Sequence, residues 1–249
     1  TIFGGNTDAK TVASCLAHKL TPATLTLTPF IQRGFCRGRQ LALNIVDLDT
    51  YLRAYNSIFD FGDQANRDVS LLPCTALYDF CNAFPTLLHA WLFLVLQAIG
   101  VPPRIRWVVW WLYSKITAYS SGTGDGSFLF FVLGGVKTGC PFSSIAFLLG
   151  INPIVDLFCY LSDGPKLSTT RVCADDFGSA LRALHTLKIQ ASIFALAQRT
   201  TGLVLKPSKC IIIISGCELT DGIMQGIKTW LALHIPAWKD FKIASAGKY

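Results

Sequence analysis

Apolar residues follow two spacings along the chain. Leu41, Ile45, Leu48 and Leu52 recur at helical intervals, which predicts a helix over about Leu41–Tyr55 with these residues on one face. A shorter helix is expected over Thr11–Leu20, followed by a Thr/Pro-rich loop at Thr21–Pro29 and a Gly/Arg-rich loop at Gln32–Gln40. Leu71–Asp79 and Thr169–Ala174 are apolar or β-branched runs and read as buried strands. Pro85 suits the first turn of a helix reaching about Ile99, with Gly100 as its stop. Pro102–Pro103 precede a second helix to about Lys115, and Ile116–Val136 reads as a hairpin around Gly122–Gly126. A third apolar helix is expected over Pro141–Leu161, bent at Asn152–Pro153. A long amphipathic helix follows over Ala180–Thr201, closed by Gly202. Short strands are expected at Leu203–Leu205 and Ile211–Ile214, around a Lys-rich turn. Helices and strands interleave without regular βαβ spacing, so the expected class is α+β.

Composition narrows the function classes. Apolar residues make up 51% of the 249 positions and charged residues 15%, which excludes a disordered tail. The net charge of +7 favours a polyanionic partner, because a basic groove gains by releasing nucleic-acid counterions. Of the 15 acids only Glu218 is a glutamate, so each aspartate carries more information than usual. Nine cysteines form no C-x-x-C pair, and no secretory signal opens the chain. Reduced thiols in an intracellular compartment are expected. Two long apolar stretches raise the question of a membrane. Leu87–Tyr113 is cut by Pro102, Pro103, Arg104 and Arg106, and Ile145–Leu161 by Asn152, Pro153 and Asp156. Buried core helices are the expected reading, with no membrane partner.

The aspartates carry the chemistry. Asp79 ends one apolar run, and Asp175 and Asp176 end another. Carboxylates at the ends of buried strands are costly unless paired or bound to metal. Two such strands side by side would bring three acids together, and divalent cations relieve that repulsion through hard oxygen ligands. Two metals roughly 3.5–4 Å apart can stabilise both the attacking and the leaving oxygen of a phosphoryl transfer. An Asp-Asp pair alone also serves as a turn or helix cap, so the pair by itself decides nothing.

The order of further motifs decides more. The series comprises Gln32-Arg-Gly-Phe-Cys-Arg-Gly-Arg, Asp79-Phe-Cys-Asn-Ala-Phe and Gly135-Val-Lys-Thr-Gly-Cys-Pro-Phe-Ser, then Ala174-Asp-Asp and Gly202-Leu-Val-Leu-Lys-Pro-Ser-Lys-Cys. In this order and spacing the series resembles the conserved blocks of reverse transcriptases of non-LTR (LINE-type) retrotransposons, relatives of the group II intron enzymes. Lys248-Tyr249 looks like the start of that family's primer grip. The resemblance runs from about Asn6 to Tyr249.

The resemblance implies a right-hand polymerase core, with partial fingers over residues 1–70 and a palm over 71–249. The palm would be a small antiparallel sheet backed by helices, and the thumb would be absent. It implies RNA-directed DNA polymerisation: attack of a DNA primer 3′-hydroxyl on a dNTP, copied from an RNA template. Asp79, Asp175 and Asp176 would hold two Mg²⁺ or Mn²⁺ ions, and Lys209 would place a cation near the leaving pyrophosphate. Phe80, Phe84, Gly135, Thr138 and Gly139 would form the nucleotide site, with Phe84 rejecting a 2′-hydroxyl by bulk. Gln32, Arg33, Arg37, Arg39, Pro141 and Ser143 would contact template or primer, with Phe35 available for base stacking. His89 reads as a packed or capping histidine, Trp107, Trp110 and Trp111 as core or subdomain packing, and the cysteines as core.

Three positions depart from the family pattern. Thr138 replaces a glutamine, Cys173 an aromatic and Lys206 an asparagine, which leaves a degenerate copy as the alternative reading. A basic Arg-Pro-Ile stretch expected before Asn6 and a thumb expected after Tyr249 are missing, so processive synthesis is not expected of the chain. An RNA-dependent RNA polymerase would share the metal site, but the bulk of Phe84 favours dNTPs. A nuclear location follows from the family's way of life alone.

Overall fold

The computed structural model describes residues 7–60, 68–114, 116–120, 127–137 and 139–245. The chain forms two compact units, each assembled from several segments.

The sheet unit draws on Pro29–Cys81, Ile154–Gln198 and Val204–Tyr249. Its strands are β1 (Cys74–Tyr78), β4 (Ser168–Cys173), β5 (Asp176–Leu181), β6 (Ile211–Ile214) and β7 (Lys242–Ser245), in the order β4-β5-β1-β6-β7. Four of them pair antiparallel, but β7 joins β6 in parallel, so the sheet is mixed rather than antiparallel throughout. Helix α2 (Ala42–Ser57) packs against β4 and β5. It approaches closely because Gly178 has no side chain: a Cβ there would lie 2.7 Å from the Leu48 Cδ1. Phe158, Phe177, Phe194, Phe80 and Tyr78 form an interlocked aromatic cluster, extended by Trp238 stacked on Phe241. Edge-to-face packing of such rings adds to their area burial.

Two expectations fail in this unit. The predicted helix over Ala180–Thr201 begins only at Leu187, because Asp176–Leu181 is strand β5, paired on both sides. On α2, Leu41 (just before its first residue) and Ile45 are exposed, and the buried positions are Asn44 and Leu52. Helix α8 (Asp221–His234) was not foreseen; its Thr220 hydroxyl caps it by accepting from the Ile223 N–H.

The helical unit draws on Thr1–Thr28, Asn82–Pro153 and Arg199–Leu203. It holds α1 (Thr7–Leu27), α3 (Ala83–Thr86), α4 (His89–Ala98), α5 (Pro103–Tyr113) and the β2–β3 hairpin (Thr117–Tyr119 and Phe128–Phe131). Helix α6 (Ser143–Phe158) and helix α7 (Leu187–Thr201) each run across the division between the units. Helix α1 continues through Pro22, where a loop was expected, and the Thr21 and Thr26 hydroxyls donate to carbonyls one turn back. The expected helix to Ile99 breaks between Thr86 and His89. Trp107, Trp110 and Trp111 are exposed rather than core. His89 is buried as foreseen, its Nε2 2.8 Å from the Gly135 carbonyl oxygen.

Helix α6 continues into a π-helical turn at Cys159–Asp163. The run Ser143–Asp163 is 21 residues long with mean hydropathy 1.8 in its most apolar window, enough by length and composition to cross a membrane. The interruptions at Asn152, Pro153 and Asp156 therefore do not disqualify it. Since 61% of that window is buried inside the protein, it is a core helix, and no clear membrane span exists among the described residues.

Candidate active site

The catalytic carboxylates expected from the sequence belong to one unit and one end of its sheet. Asp79 follows the last residue of β1, and Asp175 sits in the two-residue turn joining β4 to β5, with Asp176 opening β5. Tyr78 pairs with Phe177, so one further step along both strands sets Asp79 beside Asp176. Their fields overlap. Burial pushes the Asp175 carboxyl above the ordinary carboxylate value, and the charge on Asp79 pushes it further. Asp176 is raised by burial and then by the charges of Asp175 and Asp79.

A segment from Val204 to Cys210 fixes Asp79. The Lys206 N–H donates to the Asp79 carbonyl oxygen at 2.8 Å, and the Asp79 N–H donates to the buried Cys210 Sγ at 3.4 Å. On the next two residues, Phe80 bridges to Leu205 and the Cys81 N–H donates to the Val204 carbonyl oxygen. Lys209 Nζ lies 3.5 Å from Asp79 Oδ2, with both side chains partly open to solvent. A cleft of about 340 Å³ beside these groups is lined by Asp79, Asp176, Lys209, Arg171 and Cys173 and, from the α2 side, by Leu41 and Ile45.

The Asp175 turn is held from the other side by the Gln32 loop. Gln32 Oε1 accepts from the N–H groups of Ala174 and Gly34, both at 2.8 Å, while Nε2 donates to the Ala174 carbonyl oxygen at 3.1 Å. Gln32 is fully buried. Gly34 is required here, since a Cβ on it would lie 2.1 Å from the Ala174 nitrogen. Arg33 is buried too and is bound to Asp47 at 2.7 Å and to Asn44 at 3.0 Å; Asp47 also holds Arg171 at 2.6 Å. Arg39 donates to the carbonyl oxygens of Pro29 and Gln32. Gln32, Arg33 and Arg39 thus all make internal contacts. Arg37 and Phe35 face solvent in the same loop.

Phe80 is likewise internal, packed edge-on against Phe177 and Phe194. Phe84, Gly135, Gly139, Pro141 and Ser143 belong to the helical unit. There Phe84 stacks on Phe147 with ring centroids 4.2 Å apart and planes 10° apart. A Cβ on Gly135, which has φ +89°, would lie 2.6 Å from the Pro85 carbonyl oxygen. Ser143 is buried and donates to the Lys137 carbonyl oxygen at 2.6 Å, so its hydroxyl is also used internally. Gly139 and Pro141 are exposed. Thr138 and Lys248-Tyr249 lie outside the described residues.

Sequence reasoning missed Asp47, Asn44 and Arg171, which tie α2 and β4 together behind the turn. The one available signal was the scarcity of acids, which made Asp47 conspicuous.

The donor set suits a hard divalent cation. Asp79, Asp175 and Asp176 offer carboxylate oxygens only, and two of them are destabilised in their charged form. Among the described residues no three His, Cys, Asp or Glu side chains form a ready metal cage.

No family model matches the chain, and no curated protein matches it. Solved structures do. An apo telomerase from Candida tropicalis, truncated from its C-terminal domain, aligns over 86% of this chain and 41% of its own, with TM-score 0.52 and 13% identity. Telomerase from Candida albicans in complex with a TWJ fragment of telomeric RNA aligns over 85% and 36%, with TM-score 0.53 and 12% identity. The corresponding Candida tropicalis complex aligns over 80% and 33%, with TM-score 0.57 and 12% identity. The chain thus spans well under half the length of these telomerases, which are reverse transcriptases. It has a mixed helix-and-sheet, reverse-transcriptase-like fold.

Proposed function

We propose that the chain is the catalytic core of an RNA-directed DNA polymerase of the non-LTR retrotransposon kind, with a palm built on the sheet unit. The observation that carries this reading is the meeting of Asp79 with Asp175 and Asp176 at the ends of adjacent strands. Divalent ions at these carboxylates, when bound, would neutralise developing charge on the attacking and leaving oxygens of the phosphoryl group. The protein's own residues orient and exclude. The Lys206–Cys210 segment holds the Asp79 backbone, and Lys209 is within reach of negative charge leaving that site. Phe84, braced flat against Phe147, is the candidate for rejecting a ribose 2′-hydroxyl. Arg37 and Phe35 are the exposed members of the Gln32 loop suited to phosphate and base contact. RNA as a partner is in keeping with the telomerase neighbours, two of which were solved with a TWJ fragment of telomeric RNA.

Primer extension tests the reading. With an RNA template, a DNA primer and Mg²⁺ or Mn²⁺, the chain is expected to add the complementary dNTP at least once and to disfavour the matching rNTP. A folded, monodisperse chain that adds nothing in either metal supports the second reading, a degenerate copy keeping the fold. That alternative draws on Cys173, where the family has an aromatic beside the metal turn.

A further inference from the structure

Ala174 is the first residue of the β4–β5 turn, and its φ is +57°. The left-handed region favours glycine, and alanine persists there only where its surroundings hold it. A positive φ at the first central residue of a two-residue hairpin loop is the pattern of a type II′ turn, in which glycine is usual at that position. Asp175 is the next residue, so the conformation of Ala174 sets where the Asp175 and Asp176 carboxylates point.

What holds Ala174 is one side chain. Gln32 grips both its N–H and its carbonyl oxygen, and ties the same Oε1 to the Gly34 N–H. The grip is fully buried, so water does not compete for these groups. The loop carrying Gln32 is itself fixed on β4: Gln32 bridges to Val172, the Arg33 N–H donates to the Val172 carbonyl oxygen at 2.8 Å, and the Val172 N–H donates to the Ile31 carbonyl oxygen at 2.9 Å. Without the Gln32 amide, the turn has a strained residue and two freed peptide groups, and it can relax.

We propose that Gln32 is a positioning residue for the carboxylate pair: it enforces the left-handed turn at Ala174 and so presets Asp175 and Asp176 for cation binding. Its effect runs through Ala174, with no contact to substrate or metal. The inference rests on the reading of these carboxylates as a divalent-cation site.

The test is Mn²⁺ binding, followed by electron paramagnetic resonance, in the full chain. The variants are Asp175→Asn, Gln32→Met, Gln32→Glu, and Gln32→Met combined with Ala174→Gly. Outer-sphere partners of metal ligands commonly account for 10- to 100-fold in affinity, so Gln32→Met is expected to weaken binding roughly tenfold or more. Gln32→Glu keeps the acceptor for both N–H groups but loses the donor to the Ala174 carbonyl oxygen, so its affinity is expected to fall between those of wild type and Gln32→Met. The double variant should recover most of the loss, because glycine adopts the left-handed conformation without help. A general loss of structure would not be repaired by that change. Should Gln32→Met lose its cooperative melt, the double variant carries the test: it should fold and bind. Unchanged affinity in a folded Gln32→Met, or a folded double variant without recovery, overturns the positioning role alone. Binding in the wild type that Asp175→Asn leaves intact, or no binding at all, overturns the cation-site reading and the inference with it.

Discussion

Lys209 Nζ stands 3.5 Å from Asp79 Oδ2, so a lysine shares the carboxylate that the proposed chemistry assigns to a divalent cation. Both side chains are substantially exposed, which makes the pair weak in stability terms. Its consequence is competition for Asp79. Lys209→Gln should tighten Mn²⁺ binding by roughly two- to threefold, since removing a nearby positive charge favours a cation. The same change should slow nucleotide addition, because the leaving pyrophosphate loses a counter-charge. Titration of metal affinity beside single-turnover rates checks both signs, and a parallel rise or fall of the two would contradict this role. The melting temperature should move by about 1 °C or less.

The three carboxylates repel one another; partial desolvation and neighbouring carboxylate charge raise the carboxyls of Asp175 and of Asp176, whose residue stays exposed. Asp176→Asn should therefore stabilise the folded chain at pH 7, raising its melting temperature by roughly 1–3 °C, while reducing nucleotide addition. Mg²⁺ should raise the wild-type melting temperature by mass action and raise that of the variant less. Differential scanning fluorimetry with and without Mg²⁺ reads both effects. A variant melting well below wild type would show that Asp176 is held by contacts stronger than the repulsion.

Asp47 has the opposite sign. Burial raises its carboxyl, but the hydrogen bonds and charges of Arg171 and Arg33 outweigh that and hold it below the ordinary value of 3.8. A depressed carboxyl contributes stability above the unfolded value, and the contribution is lost as pH falls through the folded one. Asp47→Asn also leaves Arg33 buried without its counter-charge. The loss should be about 2 kcal/mol near neutrality, or roughly 4–8 °C in melting temperature. The gap between wild type and variant should narrow as pH falls below about 4. Melting curves across pH 3–7 test this, and a gap that widened toward acid would refute it.

Phe84 stacks on Phe147, so its ring is braced rather than mobile. Phe84→Ala should relax sugar discrimination, lowering the ratio of dNTP to rNTP incorporation by roughly tenfold or more. It should cost about 1–2 kcal/mol in stability, as a half-buried ring. Competitive single-nucleotide addition reads the ratio. Unchanged discrimination in an active, folded variant would remove Phe84 from the nucleotide site.

The meeting of the three carboxylates could be read from the sequence, and the elements that could not share a physical cause. Asp79 and the Asp175–Asp176 pair were legible because carboxylates ending apolar runs are costly without a reason. Strand β5 was not: Asp176–Leu181 contains Gly178, Ser179 and Ala180, poor intrinsic strand formers, and Leu181, Leu184 and Leu187 mimic a helical stripe. Pairing with β1 on one side and β4 on the other overrides that local preference. The same holds at Gln32 and Arg33, which the family resemblance assigned to nucleic acid. Their partners, Ala174 and Asp47, lie 142 and 14 residues away in sequence and become visible only when the loop docks on β4. Pro22 misled in the other direction, since a single proline inside α1 did not end it.

The most direct test of the central claim is single-turnover addition of one dNTP to a DNA primer on an RNA template, comparing wild type with Asp175→Asn. Metal-dependent addition by the wild type, reduced at least 100-fold in an Asp175→Asn variant that melts at or above the wild-type temperature, is the predicted result. Addition by Asp175→Asn at a rate close to wild type would place the chemistry elsewhere and contradict the assignment of these carboxylates.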